Sequence, residues 1–325
     1  MSVLLDLTVI VFSSLVIFIA GDRFASASSN IGNYFNMPNS VKGATLDAVS
    51  SSSPELMVAL FSVIAFGSFE IGVGTIVGSA LFNLLFIPAL CVFASGRRFN
   101  LGKEVIYRDG GFYAISLIFL LLALIYSETW GIMVAIIFLL GYCAYVCYIV
   151  KNTEDFWHTH KQKKKIKKET NLKKEILVGL IGLLLIGVST YFLTGHSEIL
   201  AEKMNIPSVI IGFTIVAIAT SLPDGVISIA DSKKGTNDDA ISNMLGSNIF
   251  NIFVGLSIPL LIAAIQSGPV NIGFNHIEIV IALLIVTFLI LYSLHKNDVI
   301  SKKKATYFLI AFLAFQAYFL YLAII

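Results

Sequence analysis

The sequence predicts an all-α membrane protein: ten transmembrane helices in two inverted five-helix repeats. Three observations predict it. The 325-residue chain is 57% hydrophobic and 13% charged, about half the charge of a soluble domain, so lipid must solvate most of it. Ten apolar runs reach the roughly 20 residues that a bilayer crossing needs; they fall near 3–20, 42–66, 71–94, 111–127, 130–150, 176–195, 207–231, 240–265, 276–294 and 304–324. A long motif in the first half recurs in the second.

The first run opens Met1-Ser2-Val3 and carries Asp6. Without a basic leading region it reads as a retained span, not a signal peptide. Between the fifth and sixth runs lies a basic linker, 151–174, in which Lys161, Lys163, Lys164, Lys165, Lys167 and Lys168 crowd together. It divides a first repeat, 1–150, from a second, 175–325. Its charge reads as a solvated loop, with contact to anionic lipid as the sharper alternative. With the linker in the cytoplasm, threading ten spans puts 21 Lys and Arg on that side and only Lys203 on the other. That asymmetry is the one cytoplasmic loops carry. Both termini then face outward, and a cell membrane is the expected location. Five spans per half is an odd number, so the halves insert with opposite orientation. Cys91, Cys143 and Cys147 all lie in apolar runs and read as small hydrophobes, not a disulfide or zinc framework. Membrane lipid is the expected surrounding; nothing in the sequence points to nucleic acid or to an obligate protein partner.

The duplicated motif carries the chemistry. Gly43-Ala44-Thr45-Leu46-Asp47-Ala48-Val49-Ser50-Ser51-Ser52-Ser53-Pro54-Glu55 recurs 169 positions later as Gly212-Phe213-Thr214-Ile215-Val216-Ala217-Ile218-Ala219-Thr220-Ser221-Leu222-Pro223-Asp224. Val77-Gly78-Ser79-Ala80-Leu81-Phe82-Asn83 is likewise matched by Leu245-Gly246-Ser247-Asn248-Ile249-Phe250-Asn251. The motifs thus span 43–83 and 212–251. Pro54 and Pro223 each remove a backbone donor and clash with the carbonyl four residues earlier, so both helices are expected to break. Freed backbone oxygens are tolerated at membrane depth only inside protein or beside a wet cavity. The motif also supplies carboxylates (Glu55, Asp224), hydroxyls (Ser51, Ser52, Thr220, Ser221), carbonyls around Ala48 and Ala217, and amides (Asn83, Asn251). Hard cations take such oxygens, about six to eight for Ca²⁺. No His or Cys joins the set, which argues against zinc or copper. Gly72, Gly74, Gly78 and Gly246 read either as plain helix packing or as close approach that presses Asn83 or Asn251 against the broken helix.

On these residues the chain resembles the cation/calcium exchanger superfamily, whose repeats read roughly G-x-T-x-x-A-x-x-[TS]-S-x-P-[ED] followed by G-S-x-x-x-[ND]. Val73-Gly74-Thr75-Ile76-Val77-Gly78-Ser79 and Arg108-Asp109-Gly110-Gly111-Phe112-Tyr113 resemble the potassium-dependent sodium/calcium exchangers in particular. The resemblance implies a secondary antiporter, not an enzyme. It would exchange Na⁺ for Ca²⁺ by alternating access, without a cofactor, the first and sixth spans sliding against the core. It implies central Ca²⁺ ligands at Glu55 and Asp224, with backbone oxygens at Ser51 and Thr220. Its Na⁺ positions fall on Ala48, Ser51, Ser52, Ser79, Ala217, Thr220, Ser221 and Ser247, and Asn83 and Asn251 fill the remaining central places. An H⁺-coupled or K⁺-coupled exchanger of the same fold is the alternative.

Three departures qualify the resemblance. Asn251 stands where Asp is common and, in potassium-dependent members, tied to K⁺ use, so Asn implies potassium independence. Ser50-Ser51-Ser52-Ser53 replaces a usual Gly and apolar residue, raising polarity and bending the helix further. Asp47 is at a normally apolar position whose repeat partner is Val216. It would share a helix stripe with Ser51 and Glu55. It reads as a partner of Lys42 or Arg23, as a carboxylate on the cytoplasmic ion path, or as a proton site. Glu70, Asp231, Asp238 and Asp239 read as loop charges at span ends, or as a weak cation funnel. An intramembrane aspartyl protease would need Gly-x-Gly-Asp, which the chain lacks. A passive channel is disfavoured by the inverted repeat.

Overall fold

The computed structural model describes residues 2–37, 39–159 and 171–324, and they are helical almost throughout. The helices are α1 (Val3–Tyr34), α2 (Asn39–Lys42), α3 (Ala48–Ser51), α4 (Ser53–Ile64), α5 (Glu70–Leu81), α6 (Ile87–Ser95), α7 (Lys103–Tyr126) and α8 (Ile132–Thr159) in the first half. The second half holds α9 (Leu172–Met204), α10 (Ser208–Ile211), α11 (Ala217–Lys234), α12 (Asn237–Phe250), α13 (Ser257–Ser267), α14 (Ile277–Lys296) and α15 (Lys302–Leu322). Among the described residues nine continuous helices are long and apolar enough to span a bilayer. The tenth crossing is assembled from the short pieces between Asn39 and Ile64. The basic cluster Lys161–Lys168 lies outside the described residues.

Four single π-turns interrupt the helices: Gly43–Asp47, Phe82–Phe86, Gly212–Val216 and Asn251–Gly255. They occupy matching places in the two motifs, and such turns recur at functional sites because they leave backbone groups mis-registered. The expected break at proline occurs in the first copy only. There the helix stops at Ser52 (φ −95°, ψ 5°) and restarts with Pro54 in the first turn of α4. In the second copy α11 runs through Pro223 without interruption. The serine run explains the difference. Ser50, Ser51 and Ser53 donate back to the carbonyls of Asp47, Ala48 and Val49 at 3.0, 3.4 and 2.5 Å, competing with the helical ladder. At the equivalent places in the second copy only Thr220 bonds back, to Val216 and Ala217.

Two small antiparallel ladders display the inverted symmetry. β1 (Phe99–Asn100) pairs with β4 (Val299–Ile300), and β2 (Thr129–Trp130) pairs with β3 (Val270–Asn271). Each ladder joins the loop after the third span of one half to the loop before the last span of the other. One ladder lies on the face where the chain enters and leaves the linker; its mate lies on the opposite face.

In an apolar 18-residue window of each, the helical pieces from Glu70 to Ser95, Ala240 to Ser267 and Ser208 to Lys234 are 83%, 78% and 67% buried, against 28% for α1 and 33% for α9. The motif-bearing helices therefore form the core, and α1, α8, α9, α14 and α15 surround them. Leu4, Met133, Leu184, Leu289 and Leu313 are exposed on that outer ring, an apolar surface that only lipid can cover. Cys143 and Cys147 share it, and Cys91 is buried. Helices α1 and α9, at 32 and 33 residues, outrun the apolar stretches that predicted them and pack against each other along their length. Their outer ends are pinned by buried Asp6, which accepts from His196 Nδ1 at 2.9 Å and from Lys203.

Candidate cation site

Glu55 near the start of α4 and Asp224 in α11 are both fully buried, two carboxylates from opposite halves brought to the middle of the core. Ionised carboxylates in apolar surroundings need a cation or a dense set of donors. Among the described residues no Lys, Arg or His pairs with either acid; their partners are hydroxyls and amides. Glu55 Oε1 accepts from Ser79 at 3.3 Å and Ser221 at 3.0 Å. Asp224 accepts from Ser247 at 3.2 Å and from Asn83 Nδ2 at 3.0 Å. Ser79 and Ser221 lie 2.7 Å apart, and Ser51 and Ser247 3.0 Å.

Four of these six contacts cross from one half to the other; Glu55 to Ser79 and Asp224 to Ser247 are the mirrored pair that does not. Asn83 reaches the acid of the second half, and Asn251 Nδ2 reaches Ser79 of the first at 3.4 Å. The glycines explain the reach. A β-carbon on Gly72 would lie 2.8 Å from the Ala59 Cα of α4. One on Gly78 would lie 2.5 Å from the Phe213 carbonyl oxygen and 2.7 Å from Ala217 Cβ, and Gly74 meets the Val209 carbonyl more closely still. Helix α5 thus touches its own half through one glycine and the other half through two. Gly246 does not fulfil its expected close approach: its nearest neighbours, Tyr145 Oη and the Gly43 carbonyl, lie at 3.8 and 4.0 Å.

Among the described residues Glu55 Oε2, Ser52 Oγ, Asn83 Oδ1 and Asn251 Oδ1 are buried without a hydrogen-bond partner. Orphaned acceptors at this density are costly, about 1–3 kcal/mol each, unless a cation meets them. The carbonyls of Ala48 and Ala217, expected to be unpaired, are occupied. Ala48 accepts from Ser52 N at 3.0 Å and from Ser51 Oγ, and Ala217 accepts from Thr220 Oγ1 at 3.3 Å.

Residues outside the sequence expectations also enter the site. Asn248, whose repeat partner is Ala80, donates to the Ala80 carbonyl at 3.2 Å and accepts from Asn83 Nδ2 at 3.1 Å. With its own NH₂ committed to a carbonyl, Asn248 must present oxygen to Asn83. That fixes which way the Asn83 amide faces and leaves Asn83 Oδ1 free. Thr75 and Asn243 are buried, and their polar atoms have no partner among the described residues. The sequence does hold a signal for them. Thr75, Ser79, Asn83 and Asn243, Ser247, Asn251 are two polar stripes at four-residue spacing in otherwise apolar helices.

A cavity of about 870 Å³ opens on the linker face. Asp22, Lys42, Gly43, Asp47, Arg108, Asp231 and Asn243 are among the residues that line it. Asp47 sits in the first π-turn, its carboxylate 3.6 Å from Lys42 Nζ, the first of the partners expected for it. Asp231 pairs with Lys234 at 3.0 Å, and Asp238 accepts from the Gly102 amide at 2.7 Å. Glu70 begins α5 on the opposite face. The Asp239 side chain lies outside what is described. Asp109 of the resemblance motif is buried and held by Arg108 at 2.8 Å, Ser242 at 2.6 Å and Tyr145 at 3.2 Å.

An inverted-repeat helical membrane protein with buried carboxylates at its centre, held by hydroxyls and amides, belongs among the membrane cation transporters. The chain is a member of the sodium/calcium exchanger protein family, whose model matches residues 5–151 and 174–325. It is therefore a multi-pass integral membrane protein and a transporter, not an enzyme. It is 28% identical over 276 residues to the inner membrane protein YrbG of Escherichia coli, covering 82% of each chain. It is 27% identical to the uncharacterized membrane protein MJ0091 of Methanocaldococcus jannaschii, covering 91% of each. A stretch of 161 residues is 30% identical to human sodium/potassium/calcium exchanger 1, 49% of this chain but 14% of that protein. The fold matches a solved structure of the sodium-calcium exchanger NCX_Mj with a TM-score of 0.67 at 22% identity, over 96% of this chain and 98% of that one.

Proposed function

We propose that the protein exchanges Na⁺ for Ca²⁺ across the cell membrane by alternating access, without K⁺, its linker face in the cytoplasm and both termini outside. The observation that carries this reading is the pair of buried carboxylates, ringed by hydroxyls and amides and lacking a basic partner among the described residues. Glu55 and Asp224 together supply two negative charges, enough to neutralise one Ca²⁺. Ser51, Ser52, Ser79, Thr220, Ser221 and Ser247, with carbonyls at Ala48 and Ala217, supply neutral oxygens suited to Na⁺ in the same space. Asn83 and Asn251 complete the set. Ions that share ligands exclude one another, and that exclusion is what couples their fluxes. Asp47 adds a carboxylate on the linker-side approach.

Asn in place of Asp at 251 supports potassium independence, because a neutral amide supplies no charge for a further monovalent ion. Coupling to H⁺ or K⁺ is the second reading, favoured by the likeness to potassium-dependent exchangers over part of the chain. The deciding experiment is isotopic Ca²⁺ flux in proteoliposomes under imposed Na⁺, K⁺ and H⁺ gradients in turn. Uptake driven by an opposing Na⁺ gradient alone is expected. Flux driven by a pH gradient in Na⁺-free buffer would overturn the Na⁺ reading.

A further inference from the structure

Thr75 and Asn243 occupy the same place in the two inverted repeats: each precedes its site serine, Ser79 or Ser247, by four residues. One helical turn, about 5.4 Å, therefore separates each from the ring around the acids, on the same helix stripe. Because the repeats are inverted, the two lie on opposite sides of that ring. Helix α12 starts from the linker face, so Asn243 lies on the linker side; α5 starts from the opposite face, so Thr75 lies on that side. Asn243 is 6% exposed and Thr75 0%. The Thr75 hydroxyl and both polar atoms of the Asn243 amide lack a partner among the described residues. An unsatisfied buried hydroxyl or amide costs about 1–3 kcal/mol, and here the cost falls on two repeat-related positions.

The surroundings of the pair differ as two access routes would. A β-carbon on Gly212, at the head of the π-turn Gly212–Val216, would lie 2.7 Å from the Ile71 carbonyl and 3.0 Å from Thr75 N. The start of the second motif is thus pressed against α5, and Thr75 is shut in. At the repeat-equivalent Gly43 nothing lies within 4 Å. Gly43 and Asn243 instead both line the linker-side cavity, together with the Asp47 carboxylate. The linker side is open and the opposite side closed.

We propose that Asn243 and Thr75 are transfer ligands for the transported cation, one for each face. This rests on the exchange reading above. Asn243 receives a partly hydrated cation from the linker-side cavity, replaces one of its waters with an amide oxygen, and passes it one turn along α12 to Ser247 and Asp224. Thr75 does the same from the opposite face when that side opens, passing the ion along α5 to Ser79 and Glu55. A neutral oxygen at the threshold lowers the cost of stripping hydration without holding the ion as a carboxylate would. The two residues share a role yet never act at once, because only one face is open.

The test is sided. Ca²⁺ is titrated on the linker face or on the opposite face, using inverted and right-side-out membrane vesicles, and isotopic Ca²⁺ flux is read. Asn243→Leu is expected to raise the half-saturating Ca²⁺ by roughly 3–10-fold from the linker face, the worth of one net polar contact, with less than about a 2-fold change from the other face. Thr75→Val is expected to do the reverse, and Thr75→Ser, which keeps the hydroxyl, to restore the wild-type value. Equal shifts on both faces, no shift, or a shift on the wrong face would each overturn the assignment. Should either apolar variant fail to assemble, Asn243→Cys and Thr75→Cys in a chain carrying Cys91→Ala, Cys143→Ala and Cys147→Ala serve instead. Each thiol should be modified by a membrane-impermeant reagent from its own face only, and protected by Ca²⁺; modification indifferent to Ca²⁺ would overturn the proposal. Wild-type vesicles whose flux follows a pH gradient would refute Na⁺ coupling while leaving the sided titration to decide the transfer ligands.

Discussion

Substituting Gly78 by Ala isolates the contact between the halves on which the site depends. The added methyl would sit 2.5 Å from the Phe213 carbonyl oxygen, 2.7 Å from Ala217 Cβ and 2.8 Å from Phe213 Cα. Two of these three atoms are backbone and cannot rotate away. Restoring a separation of about 3.5 Å requires α5 and the π-turn Gly212–Val216 to part by about 1 Å. The next residue, Ser79, makes a 2.7 Å contact to Ser221, and a parting of that size takes it beyond hydrogen-bond distance. Overpacking of this kind costs about 1–3 kcal/mol, and a hydrogen bond lost from a buried carboxylate such as Glu55 adds roughly 1.5–3 kcal/mol. The repeat-equivalent Gly246→Ala is the internal control. Its methyl would meet nothing nearer than 3.8 Å, and Gly→Ala in a helix interior favours the helix by up to about 1 kcal/mol. Thermal unfolding of the purified protein in detergent, with Ca²⁺ binding by calorimetry, should show a clear drop in both for Gly78→Ala. Gly246→Ala should be neutral or slightly stabilised. Equal losses in the two variants would refute the asymmetric packing, and no loss in Gly78→Ala would refute the role of close approach.

Glu55→Gln and Asp224→Asn should each abolish Ca²⁺ flux in proteoliposomes while the protein still folds; full activity in either would overturn the site assignment. Asp47→Asn should weaken Na⁺ activation and slow exchange, and unchanged Na⁺ affinity and rate would remove Asp47 from the ion path. Asn251→Asp should make Ca²⁺ flux respond to K⁺, read as a rate difference between K⁺ and choline buffers; indifference to K⁺ would show that residue 251 does not set K⁺ use. Asp6→Asn weakens the tie from the first turns of α1 to His196 and Lys203 and should lower the unfolding temperature of the protein in detergent; an unchanged temperature would show that this tie does not hold α1 to α9.

The class, the ten crossings and the inverted repeat were legible in the chain because they rest on local quantities. Apolar run length must match bilayer thickness, Lys and Arg distribute by face, and an odd number of spans per half inverts the second copy. The central residues were legible because duplication marks Glu55 against Asp224 and Ser79 against Ser247. What the sequence could not decide depends on contacts between the halves. The same Pro-acid motif breaks a helix at Ser52 and leaves α11 whole, because three serine back-bonds compete with the ladder in one copy and a single threonine in the other. Asn83 serves the acid of the opposite half because α5 packs through Gly74 and Gly78 onto the second motif. Asn248 has no counterpart in the first copy, so repetition could not point to it.

By itself the sequence determined that this is a twice-repeated membrane cation exchanger with two acids at its heart. Only the tertiary structure decided which half each ligand serves and which face lies open. Those outcomes depend on how closely backbones far apart in the chain approach one another. Gly212 is pressed against α5 while Gly43 faces open space, a difference that two copies of one motif cannot encode.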